Sequence, residues 1–366
     1  MTTAIKTTAK ASRLFEALSI RDITFRNRLW VSPMCMYSSD NGFPNDWHLV
    51  HLGSRAVGGA GMVCVEATGV SPEGRISPAD SGIWLDEHVP AFTRLTRFIK
   101  AQGAVPGIQI AHAGRKASTA PPWDGGKAVA PENGGWEVVA PSAIPFADDY
   151  PMPREMTQSD IEKVIEDFGT AARRAVSAGF DVIEVHAAHG YLLHEFLSPL
   201  SNRRTDEFGG SLENRMRLPL GVAETVRNVV PAELPVFVRI SATDWADGGW
   251  DLQQSIEFAK RLKLAGIDLI DCSSGGLVAD AKIAVSPGYQ VPFAEAIRRE
   301  AGIATVAVGM ITEPVQAEEI LQNEQADAVM VAREFLRDPY FAFTAAREFG
   351  GEVDVPRQYG RAIDLG

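Results

Sequence analysis

The chain has 366 residues, with 47 Asp and Glu against 35 Lys and Arg, and a net charge of −12 at pH 7. Its 45% hydrophobic and 22% charged residues are typical of a globular protein with a large core and exclude a disordered or fibrous chain. The acidic balance argues against a protein that holds nucleic acid or an anionic membrane through a diffuse positive field.

The predicted elements begin after residues 1–13, which lack the apolar segment of a signal peptide and are expected to form a frayed tail. Eight short apolar runs follow, most of them separated by helix-length amphipathic stretches. This alternation predicts parallel strands with crossover helices, and eight such units predict a single (β/α)8 TIM-barrel domain over residues 14–366. The predicted strands are Leu29–Ser32, Met62–Ala67, Gly107–Ala111, Val182–His186, Val236–Ile240, Leu269–Cys272, Thr305–Val308 and Ala328–Val331.

Helix-start signals lie between several of these strands. Thr157 and Asp160 have the spacing of a capping box before an amphipathic segment. Asp251 is placed to cap a second helix that ends near Gly266, and Pro314 opens a third.

Residues 112–156 interrupt the alternation between the third and fourth strands. They hold seven prolines and five glycines, a composition that predicts an excursion over the barrel mouth. A lid and an ordinary surface loop both remain open. No apolar run approaches the roughly 18 residues of a membrane helix, so we expect a soluble protein.

The three cysteines are Cys35, Cys64 and Cys272. They are too widely spaced for a CxxC pair and too few for an iron–sulfur cluster or a disulfide framework. A reducing, cytoplasmic location is therefore expected.

Polar residues collect where the predicted strands end. In barrels of this class, catalytic groups lie at the C-terminal ends of strands, so a polar ring there predicts an active site. In chain order the ring comprises Ser32–Tyr37, Glu66–Thr68, Gln109, His112, His186, His189, Tyr191, Arg239, Ser273–Gly276, Gly309, Met310, Ala332 and Arg333.

The spacing of His186 and His189 allows three interpretations. The pair could bind a metal, although no HExxH motif or further ligand accompanies it. It could be structural, or it could supply two hydrogen-bond donors to one substrate oxygen. Tyr191 is then placed either to deliver a proton or to form a pocket wall.

Three other residues carry similar alternatives. Cys35 is either a small buried hydrophobe or a reactive thiol. Lys116 is either a Schiff-base nucleophile or a solvated or phosphate-facing charge. Arg239, at the end of a core strand, needs an anionic or electron-rich partner.

The ends of the last two strands predict a phosphate site. Gly309, Met310, Ala332 and Arg333 fall where barrels of this type build such a site from loop amides and a short helix. The chain has neither a GxGxxG nor a GxxxxGK[ST] sequence, so the phosphate is expected to belong to a ligand that lies across the barrel mouth.

Four motifs carry a family resemblance. They are Ser32-Pro-Met-Cys-Met-Tyr37, Gln109-Ile-Ala-His-Ala-Gly-Arg-Lys116, His186-Ala-Ala-His-Gly-Tyr-Leu-Leu-His-Glu-Phe-Leu-Ser-Pro199 and Asn202-Arg-Arg-Thr-Asp-Glu-Phe-Gly-Gly-Ser-Leu-Glu-Asn-Arg215. Together they resemble the Old Yellow Enzyme family of FMN-dependent ene-reductases. The first motif and the C-terminal sequence around Arg361 are similar to its bacterial "thermophilic-like" branch.

The resemblance implies a TIM barrel that holds FMN non-covalently and uses NADPH or NADH as reductant. It implies that Arg239 lies beside the N1/C2 carbonyl edge of the flavin, where a fixed cation stabilises the negative charge of the reduced ring. The other implied cofactor contacts are Ser32, Pro33, Met34, Cys35, Ala67 and Gln109 for the flavin, and Gly309, Met310, Ala332 and Arg333 for its phosphate.

The implied substrates are small activated alkenes. His186 and His189 would bind the carbonyl or nitro oxygen, with a further contact from Tyr37, so that the β-carbon accepts hydride from flavin N5 while Tyr191 protonates the α-carbon. Arg361, in a C-terminal arm of residues 350–366, would enter the site of a neighbouring subunit in a homo-dimer or tetramer. No metal, nucleic acid or membrane is implied.

Two other hypotheses remain at this point. One is a flavin-free barrel lyase or isomerase with Lys116 as nucleophile. The other is a flavin-binding protein without catalytic turnover.

Overall fold

The fold is a closed barrel of eight parallel strands, seen in a computed structural model that describes residues 12–351 and 353–362. The barrel strands follow one another in chain order as β3, β4, β5, β8, β9, β10, β11 and β12, and β12 pairs with β3 to close the barrel. All eight predicted strands and the TIM-barrel class are thereby confirmed. The strands are β1 Leu18–Ile20, β2 Ile23–Phe25, β3 Leu29–Val31, β4 Met62–Gly69, β5 Val105–Ala111, β6 Val139–Ala140, β7 Arg154–Glu155, β8 Val182–Ala187, β9 Val236–Ser241, β10 Leu269–Ser273, β11 Ala304–Ala307 and β12 Ala328–Val331.

Helices cover the outside of the barrel. The longest, α3, begins after Thr157, whose side chain accepts from the Asp160 amide while the Asp160 carboxylate accepts from the Thr157 amide. Asp251 caps α6, as predicted, and α8 begins at Pro314. The helices are α1 Asp46–Val57, α2 Val89–Ala101, α3 Gln158–Ser177, α4 Leu192–Leu197, α5 Leu212–Val229, α6 Leu252–Leu264, α7 Val291–Ala301, α8 Pro314–Gln322, α9 Arg333–Arg337 and α10 Phe341–Phe349.

An antiparallel hairpin of β1 and β2, absent from the sequence-based prediction, precedes the barrel. Its Phe25 ring lies 4.5 Å from the Trp30 ring and 6.4 Å from Phe237, centroid to centroid. These three aromatic side chains belong to the apolar cluster that fills the lower barrel interior. The opposite, C-terminal end of the barrel is therefore where polar groups can collect.

The excursion between β5 and β8 is folded over the barrel mouth. It contains β6 and β7, which pair in parallel, and short 3-10 helices at Gly114–Lys116, Pro122–Asp124 and Pro131–Asn133. The buried Arg115 guanidinium donates to the carbonyls of Ile144, within the excursion, and Leu277, which follows β10. This arrangement favours the lid interpretation over that of an ordinary surface loop.

The first described residues are anchored to α8. The Ser12 hydroxyl and the Arg13 amide donate to the Glu318 carboxylate at 2.7 and 2.9 Å, so these two residues of the predicted tail are held by hydrogen bonds; residues 1–11 lie outside the described part. In the C-terminal segment, the Tyr359 ring packs against Tyr340, with 5.9 Å between centroids. Across residues 12–351 and 353–362, no helix combines the length and apolarity needed to cross a bilayer.

Candidate functional site

The last residues of β8 and the loop that follows bring two histidines and a tyrosine together. The Nε2 atom of His186 lies 3.3 Å from Nδ1 of His189, and the Tyr191 ring meets the His186 ring edge-on, 4.9 Å between centroids. His189 has a φ of +58°, in the left-handed region that costs a non-glycine residue free energy and that is common at functional sites. The sequence-predicted trio therefore forms one cluster.

Burial keeps both imidazoles neutral. It lowers the pKa of His186 and of His189 well below the usual range, and the Arg239 charge acts in the same direction. The Ala188 amide donates to Nδ1 of His186, which places the single ring proton of His186 on Nε2. His189 faces this proton with Nδ1, which therefore accepts and leaves the ring proton of His189 on Nε2, 2.7 Å from the Ser273 hydroxyl oxygen. The Ser273 hydroxyl in turn lies 3.4 Å from Oε1 of Gln290, to which it can donate.

The Tyr191 hydroxyl is held in its protonated form. Burial raises the pKa of Tyr191 well above its usual value, and the nearby Cys35 and Tyr37 act in the same direction. The hydroxyl of Tyr191 therefore keeps its proton at neutral pH.

Two loops touch at the backbone behind these side chains. Gly190 has a φ of +72°, and a Cβ placed on it would lie 2.1 Å from the carbonyl oxygen of Gly276 in the loop after β10. Lys116 joins the same loops because its Nζ donates to the carbonyls of His189 and Gly276, 2.9 Å each. Burial lowers the pKa of Lys116 to about 8. The two carbonyls occupy the amine, which disfavours it as a Schiff-base nucleophile.

The loop after β3 forms the facing wall. Its Met36 amide donates to the buried Glu66 carboxylate, which also accepts from the Ser81 hydroxyl at 2.7 Å. Glu66 lies where the pairing of β4 with β5 shifts register, a β-bulge of the kind that redirects side chains near active sites. Burial, with Asp80 and Glu66 acting in the same direction, raises the pKa of Cys35, so its sulfur is a thiol at neutral pH.

Tyr37 and the excursion of residues 112–156 complete this wall. Tyr37 has a φ of +46°, and burial, with the neighbouring Cys35 acting in the same direction, raises the pKa of its hydroxyl. The Trp123 ring in the excursion meets Tyr37 edge-on, 5.6 Å between centroids. Trp123 could not be singled out from the sequence, because nothing in a proline-rich segment shows which aromatic side chain will face the barrel.

Four groups project into the upper barrel interior from neighbouring strands. Arg239, on β9, is 6% exposed; its Nη1 donates to the Ser32 hydroxyl at 3.3 Å, and its Nε lies 3.1 Å from Oδ2 of Asp271. On β5, the Gln109 amide nitrogen donates to Oε1 of Glu184 at 2.7 Å. The prediction that Arg239 needs an electron-rich partner is thus met in part by Asp271.

Glu184 and Asp271 were missed by the sequence analysis. A signal for them exists, since each is a single charged residue inside an apolar strand, in Val-Ile-Glu-Val and Leu-Ile-Asp-Cys. Such a position is costly unless the charge is paired or neutralised.

The predicted phosphate residues line one pocket. Gly309 has a φ of +115°, and a Cβ there would lie 2.4 Å from the Gln290 side-chain nitrogen, so only glycine fits. Arg333 extends over the same pocket, with its Nη2 3.2 Å from the Met310 sulfur. The lining residues include Gly309, Met310, Thr312, Ala332, Arg333 and Arg337.

Arg361 lies apart from these groups. It is exposed in the turn after the 3-10 helix Arg357–Tyr359, and none of the described hydrogen bonds or ion pairs of this chain joins it to the barrel mouth. Among residues 12–351 and 353–362, no group of three His, Cys, Asp or Glu side chains is arranged to hold a metal ion.

Comparison with known proteins identifies the family. Residues 13–350 match the family model described as "NADH:flavin oxidoreductase / NADH oxidase family". The chain belongs to this family. Similar relatives are the NADPH dehydrogenases of Bacillus velezensis and Bacillus subtilis, 52% and 51% identical, each matched over 96% of this chain and 99% of the relative.

Solved structures of the family share the fold. An old yellow enzyme homologue from Zymomonas mobilis is 27% identical with a TM-score of 0.77, over 93% of this chain and 94% of that one. Morphinone reductase in complex with tetrahydroNAD is 27% identical with a TM-score of 0.74, over 94% and 92% of the two chains. The Old Yellow Enzyme resemblance is thereby confirmed.

Membership of this family makes the protein an FMN-dependent oxidoreductase. The side chains fit such a cofactor: Arg239 is a buried cation at the barrel mouth, and the pocket lined by Gly309, Met310, Ala332 and Arg333 offers an arginine and backbone groups to a phosphate. Both the flavin-free lyase with Lys116 and the non-catalytic flavin-binding protein are excluded as hypotheses.

Proposed function

We propose that this flavoenzyme is an NADPH-dependent ene-reductase that reduces the activated C=C bonds of α,β-unsaturated carbonyl and nitro compounds. The observation that carries the proposal is the cluster of two neutral imidazoles and one protonated tyrosine at the end of β8, where His186 is paired in register with Arg239 on β9. NADPH is assigned because the Bacillus relatives are named NADPH dehydrogenases.

The cofactor would lie across the barrel mouth. Arg239 would compensate negative charge on the flavin ring, and the bare backbone at Gly309 with the Arg333 side chain would bind the phosphate. The remaining flavin contacts are assigned to Ser32, Pro33, Met34, Cys35, Ala67, Gln109, Met310 and Ala332. When bound, FMN supplies the two-electron chemistry that links nicotinamide oxidation to alkene reduction.

The histidine pair would polarise the substrate. One donor would be the Nε2 proton of His186, whose Nδ1 accepts from the Ala188 amide. His189 would become the second donor when a substrate oxygen enters between the rings, with its proton on Nδ1 and its Nε2 accepting from the Ser273 hydroxyl 2.7 Å away. Two donors on one carbonyl or nitro oxygen withdraw electron density from the alkene, and Tyr37 adds a contact from the facing wall.

Tyr191 would protonate the α-carbon. Its hydroxyl is protonated at neutral pH because burial raises the pKa of this side chain, and its ring is fixed against His186. The lid, with Trp123 against Tyr37, would exclude water from this proton transfer.

A second subunit is part of the proposal. Arg361 is exposed and makes no described contact with its own barrel mouth, which suits a role in the site of a neighbouring subunit of a homo-dimer or tetramer. Truncation after Gln358 would then weaken substrate binding while the oligomer stays intact, as measured by light scattering. Unchanged substrate affinity would contradict this role.

The test of function is a pair of half-reactions. NADPH should reduce the bound flavin anaerobically, and 2-cyclohexenone, a maleimide or a nitroalkene should reoxidise it. His186→Ala with His189→Ala should leave flavin bound and reducible but slow reoxidation and weaken binding of a phenolic ligand. His51, a buried imidazole on α1, gives the matched control His51→Gln. Equal reoxidation rates in the double variant and the control would overturn the histidine assignment.

A further inference from the structure

Two carboxyl side chains lie inside the barrel directly below the predicted flavin contacts. Glu184 on β8 is paired in register with Gln109 on β5, and Asp271 on β10 is paired with Arg239 on β9. Both carboxyl groups are fully buried, with an exposure of 0%. The Cys64 thiol on β4 also faces these two carboxyl groups, and burial together with the charges of Glu184 and Asp271 raises the pKa of this thiol.

The charges in this layer do not balance if both carboxyl groups are ionised. The facing groups are Arg239 from β9, Asp271 from β10, Gln109 from β5 and Cys64 from β4, so one cation would serve two anions in an interior without solvent. An unpaired buried charge is costly and is usually removed by protonation. One of the two carboxyl groups is therefore expected to hold a proton.

The contacts of the two carboxyl groups indicate that Glu184 is the one that holds the proton. Asp271 has the guanidinium of Arg239 at 3.1 Å, whereas Glu184 has only the neutral Gln109 amide. Oε2 of Glu184 and both oxygens of Asp271 lack a hydrogen-bond partner among the described residues. A proton on Oε2 would neutralise the carboxyl group that has no cation paired with it. Burial and the neighbouring Asp271 charge raise the pKa of Glu184, in agreement with this choice.

We propose that Glu184 is protonated in the working enzyme and is a positioning residue, which orients the Gln109 amide and leaves Asp271 as the only anion paired with Arg239 beneath the flavin. With its nitrogen bound to Glu184, Gln109 presents its carbonyl oxygen upward. Ionisation of Glu184 would add a negative charge below the cofactor and disfavour its reduction. The inference rests on the proposed placement of the flavin against Gln109 and Arg239.

The proton can be observed without reference to catalysis. Infrared spectra of the holoenzyme at pH 7 should contain the C=O stretch of a protonated Glu184, and this band should be absent in Glu184→Gln. Glu195→Gln is the matched control, because Glu195 is also fully buried, with a pKa raised to about 8 by burial, but lies outside the barrel interior. The Glu195→Gln variant should lose a different C=O band and keep that of Glu184. Asp271→Asn should abolish the Glu184 band, since Arg239 would then have Glu184 as its nearest anion.

A second measurement tests the effect on the cofactor. In the wild type, the flavin reduction potential should fall more steeply with rising pH above neutrality than in Glu184→Gln, while Glu195→Gln should follow the wild type. Identical carbonyl spectra for wild type and Glu184→Gln would overturn the inference, whatever the position of the flavin. If the band is lost as expected but both potentials have the same pH dependence, the proton is present and the proposed flavin placement fails.

Discussion

Replacement of Gly190 tests whether close contact between two loops positions the catalytic side chains. A Cβ at residue 190 would lie 2.1 Å from the Gly276 carbonyl oxygen, and real Cβ atoms essentially never come within 3.0 Å of such an atom. Gly190→Ala must therefore move the loop of His189 and Tyr191 away from the loop after β10 by about 0.9 Å. The Lys116 bridge across the same contact would be stretched with it.

The expected loss of stability in Gly190→Ala has two parts. A positive φ costs alanine about 1–2 kcal/mol of stability, and forced repacking adds about 1–3 kcal/mol. The displacement itself acts on the reaction, because a shift of about 1 Å in a catalytic group can cost about a hundredfold in rate. We expect a fall in kcat/KM for enone reduction of that order, with flavin still bound.

Gly210→Ala supplies the control. Gly210 has a similar φ of +76°, but no atom lies within 4 Å of the position that its Cβ would take. Urea denaturation should show a loss of about 1–2 kcal/mol from the strained φ alone, with kcat/KM preserved. If both variants lose the same stability and retain the same kcat/KM, contact between the two loops does not position the site.

Three further predictions follow from individual contacts. Ser273→Ala should remove the partner of His189 Nε2 and lower kcat/KM by up to about tenfold, the value of one buried hydrogen bond, and unchanged kinetics would contradict the tautomer assignment. Cys35→Ala should shift the flavin reduction potential with little loss of thermal stability, and an unaltered potential would count against contact with the flavin. Asp160→Asn should destabilise the protein at pH 7, because Arg154 lowers the pKa of Asp160. That contribution declines from about pH 4, near the unfolded-state pKa, and is lost as pH falls through the lower folded-state pKa, so the difference in melting temperature should shrink steadily over that range; a constant difference would refute it.

The barrel could be predicted because its strands are covered on both faces. The run Ala328–Val331 is wholly apolar and Val236–Ile240 is apolar except for Arg239, and the spacing between successive runs leaves room for a helix. The hairpin of β1 and β2 was missed because each strand has only three residues and its turn, with Arg21 at a φ of +51°, lacks the usual Asn-Gly or Asp-Gly signal.

The sequence predicts which residues of the candidate site lie at strand ends, but not the contacts that these residues make with distant segments. His186, Tyr191 and Arg239 could be placed at the barrel mouth because parallel strands present their C-terminal ends on one side. The partner of the His189 ring could not be predicted, because Ser273 lies 84 residues further along the chain. The pairing of Glu184 with Gln109 likewise depends on the register of two strands, which is set by closure of the barrel.

Three residues that follow barrel strands have a strained backbone conformation. Tyr37, His189 and Met310 follow β3, β8 and β11, and their φ values are +46°, +58° and +51°. Conformations of this kind cost of order 1–3 kcal/mol each and persist only when surrounding contacts hold them. At His189 the Lys116 bridge and the Ser273 hydrogen bond do so. Positive φ also occurs away from these strand ends, as at Arg21 in the turn between β1 and β2, so the conformation alone does not mark a site. What distinguishes His189 is that side chains from two other segments of the chain hold its strained backbone and its ring in place.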